Sequence, residues 1–237
     1  MGTVYNTNVV TDGLMGCWDA GNRKSWYGNA PLTADFWHDL AGGYPAVIAN
    51  AGGSPLTFDP ANLGAIAFDG TDDYVGIGNF DNISPVSGTN SFTFGIWIYL
   101  NNTDAITFMS QRVDSNNRWS WWWNASSNMY FSVWTSGSDT GTGALNYNFE
   151  TDRWYYLTLV RDSNTVLFYI DSVLKYSTSY THSITAKEAG LFWGYDQQNY
   201  NSLNGKIAFV HVYPKALSAA EVKQNYNALK SRFSEGD

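Results

Sequence analysis

Between Ile66 and Val75 the chain reads Ile-Ala-Phe-Asp-Gly-Thr-Asp-Asp-Tyr-Val, and no other stretch limits the fold as sharply. Apolar and small residues alternate up to Phe68, Asp69-Gly70 supply a turn pair, and apolar residues resume at Tyr74-Val75. That pattern is strand, tight turn, strand. The same period continues downstream. From Ser91 to Leu100, Phe92, Phe94, Ile96 and Ile98 fall on one face, and Thr93, Gly95, Trp97 and Tyr99 on the other. Trp154–Val160 and Val166–Asp171 flank a hairpin loop, and Asp171-Ser172 turns the chain into Val173–Tyr176. Leu191–Trp193 and Ile207–Tyr213 add further strands. Short strands at this spacing predict an all-β fold, a two-sheet antiparallel sandwich.

One helix interrupts the pattern, at about 218–233. Ser218-Ala-Ala-Glu221 is a capping box, and Val222, Tyr226, Leu229 and Phe233 form one apolar stripe. A helix of this length is marginal in water, so it is expected to lie against the sandwich. Residues from about 22 to 60 are loop-rich, punctuated by glycines and prolines. No linker and no internal repeat divides the chain, so a single domain over 1–237 is expected.

Charge narrows the partners. The net charge is −8 with only 13 Lys and Arg, which argues against a nucleic-acid surface and against an anionic membrane surface. No apolar run approaches the roughly 18 residues that span a bilayer. The single cysteine, Cys17, lies in an apolar run and reads as a buried, inert thiol. No charged-then-apolar leader opens the chain, so synthesis in the cytosol is the expectation. The sequons at Asn82, Asn101 and Asn124 carry little weight without a secretory signal.

The most distinctive local feature is Arg118-Trp-Ser-Trp-Trp-Trp-Asn124, followed by Asn128-Met-Tyr-Phe-Ser-Val-Trp134. Met129, Phe131 and Val133 form the apolar face of the second strand. A turn over 124–128 pairs Trp123 with Met129 and Trp121 with Phe131. Trp122, Tyr130 and Trp134 then share the outer face with Arg118 and Ser120. A turn one residue shorter inverts the first strand. The longer turn buries more apolar area and is preferred. Aromatic rings beside a guanidinium, hydroxyls and amides suit a protein contact, which ranks first, and after it the stacking of sugar rings. Trp97 and Tyr99, or Trp193 and Tyr195, are expected to extend that patch.

Five stretches in order resemble the laminin-G-like, concanavalin-A-like jelly rolls. They are Ile66–Val75, Ser91–Trp97, Trp154–Val160, Val166–Asp171 (with Ser172 where the family has glycine) and Leu203 through Glu221. The resemblance implies the sandwich fold and a protein that binds rather than transforms. The opening Trp18-Asp-Ala-Gly-Asn-Arg-Lys-Ser-Trp26, with Phe36-Trp-His-Asp-Leu40, is similar to jelly-roll proteins of tailed-phage particles. Here Arg23 stands where proline is usual, and Ala41 where serine is usual. That similarity implies a virion surface protein, a capsid decoration or a tail adhesin. Its partners would be other virion proteins or itself, with cell-surface glycans in addition.

Catalysis finds no support by inventory. Glucanases of this fold carry an E-x-D-x-E strand, and none of Glu150, Glu188, Glu221 and Glu235 sits in such a pattern. Asp72 and Asp73 are adjacent, so on a strand they point to opposite faces. The histidines His38, His182 and His211 are isolated, and no nucleophile elbow or metalloprotease motif occurs. No catalytic residue and no obligatory cofactor is therefore assigned. Asp69, Asp72 and Asp73 are calcium candidates, since hard oxygens in one loop suit Ca²⁺ and the laminin-G-like resemblance implies calcium near a sheet rim. Turn formation by the same aspartates ranks above metal binding, so a chelator is expected to change the melting temperature little. Asp19 with Asn22 is a weaker candidate. The expectation is a non-catalytic phage-surface binding protein. A secreted carbohydrate-binding module is the alternative, and a glycan-active enzyme the third.

Overall fold

A computed structural model describes residues 9–26, 36–50, 56–78, 86–184, 190–195 and 201–233. Two antiparallel sheets face each other. The first runs β15 (Val173–Ser179), β14 (Thr165–Ile170), β13 (Arg153–Asp162), β7 (Phe92–Leu100), β17 (Asn204–Tyr213), β5 (Ala65–Asp69) and β4 (Thr57–Asp59), with β1 (Gly16–Asp19) also paired to β17. The second runs β11 (Ser138–Asp139), β10 (Asn128–Thr135), β9 (Arg118–Asn124), β8 (Ile106–Arg112), β16 (Leu191–Trp193), β6 (Asp73–Ile77), β3 (Ala46–Asn50) and β2 (Phe36–Trp37), with β12 (Leu145–Asn146) also paired to β10. This is the two-sheet antiparallel sandwich that alternation predicts, in the concanavalin-A-like jelly-roll form that the resemblance implies.

The strand-turn-strand signature at Ile66–Val75 has an unexpected place. Its strands β5 and β6 do not pair with each other: β5 joins β17 and β4, whereas β6 joins β16 and β3. The tight turn is a corner between sheets, not a hairpin. It is fixed from within, because Asp69 N–H donates to the Asp73 carboxylate at 2.9 Å and Thr71 N–H to Asp69 Oδ1 at 2.7 Å.

Inner faces follow the pleat. Phe92, Phe94, Ile96 and Ile98 of β7 meet Trp119, Trp121 and Trp123 of β9 and Met129, Phe131 and Val133 of β10 in one core. Phe94 stacks on Trp119 with centroids 5.4 Å apart. These side chains are essentially unexposed, so truncating one of the tryptophans to alanine costs about 3–5 kcal/mol.

The helix α1 (Ala219–Leu229) covers the outer face of the first sheet. It continues as a single 3-10 turn, Lys230–Arg232. Ser218 and Glu221 form the reciprocal capping box. Val222, Ala228 and Leu229 bury against Trp97, Tyr156 and Phe209 in a second apolar cluster. The helix is pinned at its middle and just beyond its C-terminal end. Asn225 Oδ1 accepts from Val10 N–H at 2.7 Å, and the Arg232 guanidinium meets Asp19 Oδ1 at 2.8 Å with both side chains buried. That ion pair, with the Gly21 N–H on the same oxygen, engages Asp19 structurally, and Asn22 Oδ1 accepts from Lys24 N–H at 2.8 Å.

Candidate functional site

The β9–β10 register is the one that maximal apolar burial selects: Trp123 opposes Met129, Trp122 opposes Tyr130, and Trp121 opposes Phe131. Arg118, Trp122, Tyr130 and Trp134 consequently share the outer face, all half-buried. Trp122 and Tyr130 stack, centroids 5.0 Å apart and planes at 21°. The Arg118 guanidinium lies 4.1 Å over the Trp134 ring. Two such contacts contribute about 1 kcal/mol each and fix the rings in place.

Between these pairs runs a row of small hydroxyls. Ser110, Ser120 and Ser132 lie directly opposite one another across β8, β9 and β10. Thr107, Trp122 and Tyr130 form the row on one side, and Arg112, Arg118 and Trp134 the row on the other. Trp122 Nε1 donates to Ser132 Oγ at 3.0 Å, and Ser110 Oγ donates to the Tyr195 carbonyl at 3.0 Å. The hydroxyls of Ser120 and Thr107 are buried with no hydrogen-bond partner among the described residues. The serines lie beneath the flanking side chains, at most 3% exposed, as a polar floor under aromatic walls.

Sequence alternation misses the contribution of β8. A bulge at Phe108 turns both Phe108 and Met109 into the core, so Thr107 and Ser110 share the outer face although three residues apart. Phe192 of β16 opposes Ser110, and Tyr74 packs edge-on to Phe192 at 5.8 Å. Both extend the aromatic surface, and neither is evident from local spacing.

The remaining predicted residues go elsewhere. Trp193 belongs to the inner core, 4.9 Å from Trp18 and 5.9 Å from Trp37, and does not extend the patch. Tyr195 is 5% exposed and stacks on Tyr74 at 5.7 Å, at the end of the serine row. Trp97 and Tyr99 do face outward, but from the other sheet. Helix docking covers Trp97, stacked between Tyr226 at 5.6 Å and Phe233 at 4.3 Å. Together with Tyr99 and Trp154 these rings line a cavity of about 780 Å³ beside the helix end.

Asp69, Asp72 and Asp73 each present an oxygen within 4.8 Å of the others. Burial, reinforced by the charges of Asp69 and Asp72, pushes Asp73 up to about 7. Asp72 Oδ1 and Asp73 Oδ1 are buried without a hydrogen-bond donor among the described residues. Turn formation does not account for those two oxygens. The set fits a calcium ion, which these three carboxylates would hold and which would neutralise the corner. Cys17, by contrast, is buried and its thiol is raised well above the ordinary range, as an inert core thiol requires.

Residues 69–223, about two-thirds of the chain, match the family described as the concanavalin A-like lectin/glucanases superfamily. No curated protein sequence matches. Among solved structures, the chain is similar to domain 4 of AbnA, an extracellular arabinanase from Geobacillus stearothermophilus, in complex with arabinotriose. The TM-score is 0.67 at 18% identity, covering 90% of this chain and 98% of that one. It is also similar to the binding domain of botulinum neurotoxin DC in complex with rat synaptotagmin II, with TM-score 0.68, 16% identity and 93% of this chain covered. The same toxin domain in complex with SialylT gives TM-score 0.68 at 15% identity. The chain spans about half, 52%, of those toxin chains. At such identities these likenesses concern the fold.

Proposed function

Because the chain belongs to the concanavalin A-like lectin/glucanases superfamily, we propose that it is a non-catalytic glycan-binding domain whose site is the outer face of β8, β9 and β10. One observation carries this reading: the Trp122–Tyr130 stack stands beside the Ser110–Ser120–Ser132 row, with Trp122 tethered to Ser132. Stacked rings receive the apolar face of a pyranose or furanose, and the half-buried Arg118 guanidinium beside them receives its hydroxyl groups, while the buried serines hold the strand face and the Trp122 edge from beneath. The rings are held before any ligand arrives, which lowers the entropic cost of binding. The complexes of AbnA domain 4 with arabinotriose and of the toxin domain with SialylT support a saccharide as ligand on this fold.

The finer reading is that the domain is displayed on a tailed-phage particle, where a glycan site would hold the particle to a cell surface. Its support is the similarity of the segments 18–26 and 36–40 to phage jelly-roll proteins. Co-sedimentation of the protein with purified virions tests that placement.

The site is tested by titrating a panel of oligosaccharides against wild type and Trp122→Ala. Loss of the stack is expected to weaken binding by about tenfold, since aromatic contacts contribute about 1 kcal/mol or more. The melting temperature is expected to stay within a few degrees. Undiminished binding removes the site from this face, and release of reducing ends from the panel removes the non-catalytic reading.

A further inference from the structure

The cavity beside the end of α1 lies on the opposite side of the sandwich from β8, β9 and β10, and it is built from parts that the first site does not share. We infer that it is a second, independent carbohydrate site that takes an oligosaccharide of the trisaccharide class. Its volume of about 780 Å³ lies within the usual range for small-ligand sites.

The walls are preorganised. Tyr99 and Trp154 are half-buried and packed together, centroids 5.4 Å apart. Trp154 packs against Phe233 at 4.6 Å, and with the Asn62 amide oriented to accept, its indole N–H donates there at 3.0 Å. A ring held by neighbouring rings and by its polar edge is a stacking platform rather than a mobile side chain.

The rim decides between ligand classes. Lys206 is paired with Asp59 at 2.5 Å, and Arg153 with Asp171 at 2.7 Å, so most of the positive charge is neutralised internally. A phosphate-bearing ligand needs uncompensated cations, and an apolar ligand would bury the rim charges without partners. Of the charged side chains that line the cavity, Lys230 and Asp152 lie outside these pairs. Lys230 is exposed and has no ion pair among the described residues. Asp152 is exposed, and among the described residues its carboxylate receives only a long contact, 3.3 Å, from the Tyr99 hydroxyl. Its backbone is held left-handed, at φ 59°, by an N–H bond to the Leu100 carbonyl at 2.8 Å. One ammonium, one carboxylate and aromatic faces match the donor-and-acceptor hydroxyls of a sugar. With a site on the outer face of each sheet, one domain would hold two glycan chains and gain avidity on a dense surface.

The test follows the Trp154 indole N–H by NMR while maltotriose, cellotriose, arabinotriose, 3′-sialyllactose and inorganic phosphate are each added at millimolar concentration. Wild type is compared with Asp152→Asn, Lys230→Ala and Trp122→Ala. Asparagine tolerates the left-handed backbone, and both rim side chains are exposed, so these variants keep the fold. At least one trisaccharide is expected to shift the Trp154 signal. Asp152→Asn and Lys230→Ala are each expected to weaken that effect about tenfold, and Trp122→Ala to leave it unchanged. The inference is overturned if no trisaccharide moves the signal, if phosphate moves it as strongly, or if neither rim variant weakens binding. Loss of binding in Trp122→Ala would likewise overturn it. Failure of the β9–β10 site would show instead as a Trp122 signal that no saccharide shifts.

Discussion

The imidazole of His211 fills the space into which a side chain on Gly95 would project, and the two residues oppose each other across β17 and β7. One ring therefore occupies two positions of the outer face beneath α1. It is fully buried and hydrogen-bonded, 2.7 Å from the Tyr156 hydroxyl on one nitrogen and 3.3 Å from the Tyr213 hydroxyl and Asn225 Nδ2 on the other. Gly95→Ala must displace the ring and break part of this network. The expected cost is about 2–4 kcal/mol, from overpacking plus a buried unsatisfied group. Urea unfolding measures it. Combining the change with His211→Ser should recover part of the loss, and a purely additive double variant would mean that the two sites do not compete for the same space.

The same ring makes stability depend on pH. Burial pulls the His211 pKa down to about 3, and the groups that face it are Tyr156, Tyr213, Asn225, Phe209 and, across from β1, Cys17. Its folded pKa is thus below its unfolded value of about 6.5. The neutral ring contributes stability above the unfolded value, and that contribution is lost as pH falls from about 6.5 towards 3, by on the order of 4 kcal/mol. Unfolding in this window should take up about one more proton in wild type than in His211→Gln. Equal slopes of unfolding free energy against pH in the two proteins would contradict the assignment.

Between β14 and β15 the turn residues Asp171 and Ser172 both have positive φ, 51° and 66°. A two-residue turn of this hand favours glycine at its second position, and serine there carries left-handed strain. Ser172→Gly is expected to stabilise the protein by about 1 kcal/mol. Asp171→Gly is expected to do the opposite, because its carboxylate accepts from Tyr156 N–H at 2.9 Å and from Arg153 at 2.7 Å. Thermal melts of the two variants that moved in the same direction would refute this division of roles.

Strand parity was legible where alternation is long. The run Met129, Phe131, Val133 sets the β10 face, and with it the β9 register and the outward direction of Trp122. Trp97 has the outward parity expected from β7, but what lies over it is decided by α1, more than a hundred residues later. β16 has only three residues, too few for a period to tell which face Trp193 takes. The bulge at Phe108 breaks the count that would have added Thr107 and Ser110 to the site. The corner at Asp69–Asp73 and a hairpin share the same local chemistry, and only long-range pairing separates them. The cavity beside α1 joins residues as distant as Asn62, Asp152 and Lys230, so no local pattern announces it.

The corner also carries the last expectation. Turn formation alone predicts indifference to metal, but among the described residues Asp72 and Asp73 each leave a buried oxygen without a donor, with oxygens of three carboxylates within 4.8 Å of one another. Mutual repulsion and desolvation both oppose this arrangement, and a bound cation relieves both. A cation held only by the folded state stabilises by about 2.7 kcal/mol at a hundred times its dissociation constant. For a domain of this size that is a rise in melting temperature of about 5–10 °C. Wild type in millimolar Ca²⁺ should therefore melt higher than in chelator, and Asp73→Asn should lose most of the difference. Melting curves of wild type that superimpose in calcium and in chelator would leave the three aspartates as turn formers only.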